Sequence, residues 1–149
     1  MRQFAVPMGL SLLLLMVGCG TKLERTLRGT WTLNKIERKL YVNDQFSDIN
    51  RPTVTGTITF AKGGKGSYDL SINYMGEKVE SFEWNTTKEE NQTMLLIDAG
   101  RWTKAFGMAP AKCTILEWSG NELRWERIDT LYYRNNAVYK WVEEWSLSR

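Results

Sequence analysis

Two neighbouring stretches set the architecture by alternation. In "TVTGTITF", Val54, Ile58 and Phe60 fall on one face, and Thr53, Thr55, Thr57 and Thr59 on the other. After "AKGGKG", the segment "SYDLSINYM" turns Tyr68, Leu70, Ile72 and Tyr74 one way and Ser67, Asp69, Ser71 and Asn73 the other. A period of two over eight residues belongs to strands with one buried face, because successive side chains leave a strand on opposite sides. The glycine-bearing spacer between them is hairpin chemistry. Phe82 and Trp84 extend the pattern in "KVESFEWN", and "TMLLID" and "KCTILEW" supply shorter apolar runs. No stretch after residue 27 has the 3.6-residue period of a long amphipathic helix. The expected fold is all-β: an antiparallel up-and-down meander of about eight strands closed into a barrel, with a β-sandwich as the alternative.

The last thirty residues read as a hairpin about Asn135-Asn136, since asparagine tolerates positive φ. Setting Arg134 against Ala137 places Tyr133 across from Val138, Asp129 from Val142 and Arg127 from Glu144. One face then carries Leu123, Trp125, Leu131, Tyr133, Val138 and Val142. The other carries Ile128, Tyr132, Tyr139, Trp141, Trp145 and Leu147. Both faces are partly apolar, so either a bulge splits the hairpin into two registers, or one face meets a helix, membrane or partner.

The beginning of the chain is of a different kind. Arg2 precedes an apolar run from Phe4 to Val17, too short to cross a bilayer of ~30 Å and of the size of a signal-peptide core. Its end, Leu15-Met16-Val17-Gly18-Cys19, resembles the lipobox of bacterial lipoproteins. That resemblance implies removal of residues 1–18, acylation of Cys19 and a short tether over 19–26 before a domain at 27–149. Gly20 after the cysteine favours outer-membrane sorting, and the tether of roughly 26–29 Å at full stretch keeps the domain beside the membrane, here placed on the periplasmic face.

"LRGTWTLNKIE" (27–37) carries a Gly-x-Trp at the head of the first strand. With "TGTITFAKGGKGSYDL", "ESFEWN", "LEWSGNELRWER" and "VEEWSLSR", it resembles lipocalins and lipocalin-like lipoproteins of Bacteroidetes. The resemblance implies a lipocalin-like barrel whose narrow end is closed by Trp31, beneath a basic side chain from a late strand. Gly29 would let the chain pass close. Arg134 and Arg149 are both candidates for the stacking residue.

Chemistry is bounded mainly by exclusion. The chain has no histidine, which removes imidazole acid–base work, Ser-His-Asp and Cys-His catalysis, and His-bearing zinc sites. With Cys19 acylated, only Cys113 is left, so no internal disulfide forms; it reads as a small buried hydrophobe. Removing residues 1–18 takes one positive charge, Arg2, from a formal net charge of +3. That near-balance speaks against a nucleic-acid partner. Glu143 and Glu144 leave a strand on opposite sides and do not act together, and Glu89-Glu90 lie in the polar stretch "NTTKEENQT", read as a solvated turn. No catalytic, metal or cofactor site is expected, and the protein is read as a non-enzyme.

A binding site is expected instead. Inward side chains Tyr68, Leu70, Ile72, Phe82 and Trp84 would line an apolar pocket. In "AGRWTKAFGMAPAK", Trp102 and Phe106 stand four apart with Met108 near, forming either a lid at the barrel mouth or a plug on the core. The expected function is a membrane-anchored envelope lipoprotein binding a small apolar or amphipathic ligand. The alternative is a non-catalytic scaffold with a filled core that meets an envelope protein through Tyr139, Trp141 and Trp145.

Overall fold

The structure, a computed structural model, describes residues 22–72, 76–98 and 111–149, the side chains at 72 and 76–79 excepted. Cys19 and the candidate lid residues Trp102, Phe106 and Met108 lie outside the described residues.

A short helix, α1 (Lys22–Leu27), leads into β1 (Gly29–Val42), β2 (Gln45–Asn50), β3 (Val54–Phe60), β4 (Lys65–Ile72) and β5 (Gly76–Glu89). β6 (Gln92–Asp98), β7 (Ala111–Trp118), β8 (Glu122–Arg134) and β9 (Ala137–Ser148) follow. Each strand from β3 onward pairs antiparallel with the next, and β9 pairs back onto β1 from Thr32↔Ser148 to Val42↔Tyr139. The sheet thus closes as an eight-stranded antiparallel barrel, not a sandwich, with β2 as an extra strand on the upper half of β1. Closure removes the sheet edges that an open meander would leave unpaired.

The hairpins owe their tightness to side chains that accept a left-handed backbone. Both central residues have positive φ at Asn43-Asp44, Glu90-Asn91 and Asn135-Asn136, the geometry whose twist matches that of paired strands. The expected solvated turn in "NTTKEENQT" is present at Glu90-Asn91, but it is only these two residues long. Residues 85–89 complete β5, and Glu89 is ion-paired with Lys112 on the outer surface.

The alternation of β3 to β5 does what the sequence predicts. Ile58, Phe60, Leu70, Phe82 and Trp84 are buried together with Trp31, Leu33, Ile36, Leu95, Cys113, Leu123, Trp125 and Leu147. Phe60 sits at the centre, edge-to-face with Phe82 (5.6 Å), Trp84 (5.3 Å) and Trp125 (6.3 Å between centroids). Offset and edge-on ring pairs of this kind add about 0.5–1.5 kcal/mol each beyond area burial.

The β8–β9 hairpin takes the bulged of the two alternatives, so the uniform register fails beyond it. From Arg134↔Ala137 to Thr130↔Trp141 the pairing is as predicted, but Asp129 is then skipped, and Ile128 meets Val142, Arg127 meets Glu143 and Trp125 meets Trp145. The skipped residue is a bulge, and a one-residue slip reverses the face of everything beyond it. Trp145 and Leu147 therefore join Leu123 and Trp125 instead of opposing them, and the rings of Trp125 and Trp145 stack at 5.9 Å.

Residues 22–27 are not an extended tether. A six-residue helix has no stability of its own, yet α1 buries Leu23 and Leu27 against the barrel floor, each burial being worth about 1.5–3 kcal/mol. The helix ends before Gly29, whose φ of 122° turns the chain into β1.

Candidate functional site

The two ends of the barrel differ. α1, the turns at 61–64, 90–91 and 119–121, and the C-terminal Arg149 share one end, and this end is shut. The helix leaves carbonyls without intrahelical partners. Trp31 Nε1 donates to the Leu27 carbonyl at 2.7 Å, and Arg149 Nη2 donates to the carbonyls of Thr26 (2.6 Å), Leu27 (3.2 Å) and Arg28 (2.5 Å). The same guanidinium lies over the fully buried Trp31 ring. A Cβ on Gly29 would come within 3.3 Å of it. The fold-signature residues Gly29 and Trp31 thus form one closure, with Arg149, not Arg134, as the basic partner.

Above this apolar floor the interior becomes ionic. Glu143, nearly out of contact with solvent, lies between two guanidinium groups: Arg127 Nε and Nη2 donate to Oε2 at 3.0 and 2.8 Å, and Arg38 Nε lies 3.2 Å from Oε1. Arg38 Nη2 reaches on to Asp129 Oδ2 at 2.7 Å, and Trp145 Nε1 donates to Glu143 at 3.3 Å. Burial works against the Arg127 charge, but the Glu143 carboxylate outweighs it and holds the group firmly protonated. On the outer side of the same strand, Glu144 pairs with Lys39 (2.6 Å) and Arg124 (2.5 Å). Glu143 and Glu144 face apart, as expected of neighbours on a strand, but both are buried ion-pair centres.

The cavity lies beside this network. The β7–β8 ladder stops at Thr114↔Glu126, although β7 starts at Ala111 and β8 runs on to Arg134. Where the two strands part, a cavity of about 790 Å³ opens. Met94 of β6, Ala111 and Thr114 of β7, and Ile128 with Val142 give it apolar walls; Lys112, Glu126, Arg127, Asp129 and Lys140 give it charge, and Tyr41 completes it. Residues from both faces of β8 contribute because the wall is split there and the Asp129 bulge turns the strand.

These are not the side chains the sequence singled out. Tyr68, Leu70, Phe82 and Trp84 do not line this cavity. Leu70, Phe82 and Trp84 are packed into the core, and the Tyr68 ring stacks on Phe82 at 5.7 Å. The Tyr68 hydroxyl donates to Glu80 at 2.6 Å, and burial with that bond pushes its pKa up. Trp84 also edges a smaller outer hollow of about 250 Å³ beside Gly63 and Gly64. The Ile72 side chain is outside the description. The physical reason is volume: Phe60 and the three aromatic rings around it fill the lower barrel, and space is left where the wall divides. The charged lining residues carried no sequence signal beyond their charge, because their facing depends on the bulge.

Of the rings offered as a partner surface, Trp145 packs against the core, Trp141 lies under Arg38 (5.1 Å) and Tyr139 stacks on Tyr132 (5.0 Å). The exposed large apolar side chains of this hairpin are instead Ile128, Leu131, Tyr132 and Tyr133, the last 77 % exposed. Cys113 is buried in the core, and that burial pushes its thiol up to about 12, so it is no nucleophile at neutral pH. Among the described residues, no group of three metal-ligating side chains comes together.

No family model matches the chain, and no curated protein matches it. A solved structure of EF1p2_mFAP2b bound to DFHBI is similar over 84 % of this chain and 94 % of the other, at 13 % identity and a TM-score of 0.42. A likeness of that degree carries no argument about what this barrel binds.

Proposed function

We propose that the protein is a non-catalytic binding barrel of the lipocalin-like kind, held at the cell envelope by an acylated Cys19, that takes a small amphipathic molecule into the cavity between β7 and β8. The observation that carries this reading is the cavity itself: about 790 Å³ beside a packed floor, within the range of roughly 300–1,000 Å³ in which small-molecule sites fall. Its mixed lining suits a ligand with an apolar body and a polar end better than a plain hydrocarbon.

The anchoring part rests on the lipobox-like sequence ending at Cys19. With α1 beginning three residues later at the closed end, the acylated cysteine holds that end toward the outer membrane. The cavity then opens well away from the bilayer surface, on the periplasmic side.

Native mass spectrometry of the lipoprotein, gently extracted from its own membrane, tests the binding reading. A co-purified small-molecule mass that disappears in Ala111→Trp, which fills the cavity, supports it. Ligand-free wild-type protein that also takes up no amphiphile from solution overturns it. The anchor is tested separately: Cys19→Ala releases the protein from the membrane fraction.

The scaffold reading keeps one supporting observation, the exposed Ile128, Leu131 and Tyr133 along β8. A co-purified protein subunit lost in Leu131→Lys would favour it.

A further inference from the structure

One charge on the cavity wall has no counterpart. The charged side chains that line the cavity are Lys112, Glu126, Arg127, Asp129 and Lys140, and all but one are matched. Lys112 bonds both oxygens of Glu89 at 2.8 and 3.1 Å, and Lys140 bonds Asp44 at 2.6 Å. Arg127 gives Nε and Nη2 to Glu143. Asp129 accepts from Arg38 Nη2 at 2.7 Å and from the Thr130 hydroxyl at 3.3 Å. The Glu126 carboxylate has neither a hydrogen bond nor an ion pair among the described residues.

The strand register explains why. Glu126 forms the last rung of the β7–β8 ladder, opposite Thr114, and stands opposite Glu144 in the β8–β9 ladder. Thr114 turns its hydroxyl to the Met94 sulfur at 3.7 Å. Glu144 is a second carboxylate, and its cations Lys39 and Arg124 close on it at 2.6 and 2.5 Å. Like charges directly opposite one another are unfavourable in a sheet. The two neighbours that the sheet gives Glu126 therefore leave its charge unanswered, at the point where the strands part and the cavity opens. Met94, Ala111, Ile128 and Val142 line the same space with apolar surface.

We infer that the cavity selects a cationic amphiphile: a short apolar body ending in a protonated primary amine, with the ammonium on Glu126 and the body along the apolar wall. Three N–H donors and a positive charge are what an unpartnered carboxylate lacks. This inference rests on the binding reading above and deepens it by naming the polar end.

Calorimetric titration of the intact protein at neutral pH with octylamine, octanol, octanoate and methylammonium separates head from chain. An alkylamine is protonated at that pH, as a lysine side chain is. Octylamine should bind about fivefold more tightly than octanol, the scale of one partly exposed ion pair, and octanoate more weakly than either. Glu126→Gln should bring octylamine to the affinity of octanol and leave octanol unchanged, whereas Glu126→Asp should keep part of the preference. Because Glu126 holds no other side chain in place, both variants should retain the wild-type circular dichroism spectrum. Octanol binding as tightly as octylamine, tighter binding of octanoate, or a preference for octylamine that survives Glu126→Gln overturns the cationic assignment and leaves a binding barrel in place. Methylammonium binding as tightly as octylamine overturns the amphiphile. No binding of any of the three chains overturns the binding reading, and this inference with it.

Discussion

The guanidinium of Arg149 lies 4.0 Å from the centroid of the Trp31 ring, so the last residue of the chain covers the first tryptophan of the barrel. The contact joins β9 to the start of β1, and the hydrogen bonds from Arg149 to the α1 carbonyls tie the helix to the same point. One terminal side chain therefore holds barrel closure and helix docking together.

Arg149→Ala should destabilise the protein by about 1–3 kcal/mol, from a lost cation–π contact and charge-assisted hydrogen bonds. Arg149→Lys should recover only part, because an ammonium lacks the planar fork. Trp31→Ala should be worse, about 3–5 kcal/mol. Urea titration followed by circular dichroism orders the three.

Glycine substitutions should follow the space around each position. A Cβ on Gly56 would stand 2.0 Å from the Asp69 carbonyl oxygen, with φ at 129°, so Gly56→Ala must break the β3–β4 pairing locally. At Gly29 the neighbour is the end of a flexible arginine, and at Gly63 nothing lies within 4 Å. The expected order of damage is Gly56→Ala, then Gly29→Ala, then Gly63→Ala, with the last confined to backbone strain of about 1 kcal/mol. Melting temperatures check it.

Glu143→Ala should leave Arg38 and Arg127 to share the single carboxylate of Asp129, at a loss of about 3 kcal/mol or more. Replacing the pair together, Arg127→Met with Glu143→Leu, should be far milder than the single change. A double-variant cycle in urea measures the difference.

Acid should weaken the fold through its outer ion pairs. The Arg51 hydrogen bond holds the Glu37 carboxyl low against burial, with help from Lys35. Burial raises Glu144, but Lys39 and Arg124 outweigh it and hold this carboxyl low as well. Groups with depressed folded pKa values contribute stability above the ordinary glutamate value of 4.5 and lose it as pH falls through the folded values. Stability should therefore fall between pH 5 and the acid limit, and Glu144→Gln should flatten part of that slope. Urea midpoints across about pH 2–6 test the sign.

Cys113 should resist thiol reagents until the barrel opens, since its thiol is buried and titrates far above neutral pH. Its labelling by a disulfide reagent should follow unfolding of the β6–β8 wall. Rapid reaction in the native protein would contradict the packing around Leu95 and Cys113.

The chain's alternation settled the strands, the antiparallel order and most of the core. A period of two is local, and burial of one face needs no knowledge of the partner strand. The turn at Asn135-Asn136 was legible for the same reason, since positive φ is a property of the residues in the turn. Three things were decided only in three dimensions. The Asp129 bulge reversed Trp145 and Leu147, because register beyond a skipped residue depends on what both faces bury. The choice of Arg149 over Trp31 required the chain's end to return beside its beginning. The cavity arose where β7 and β8 separate, and its charges became a site through burial and mutual pairing, which no spacing along the sequence records.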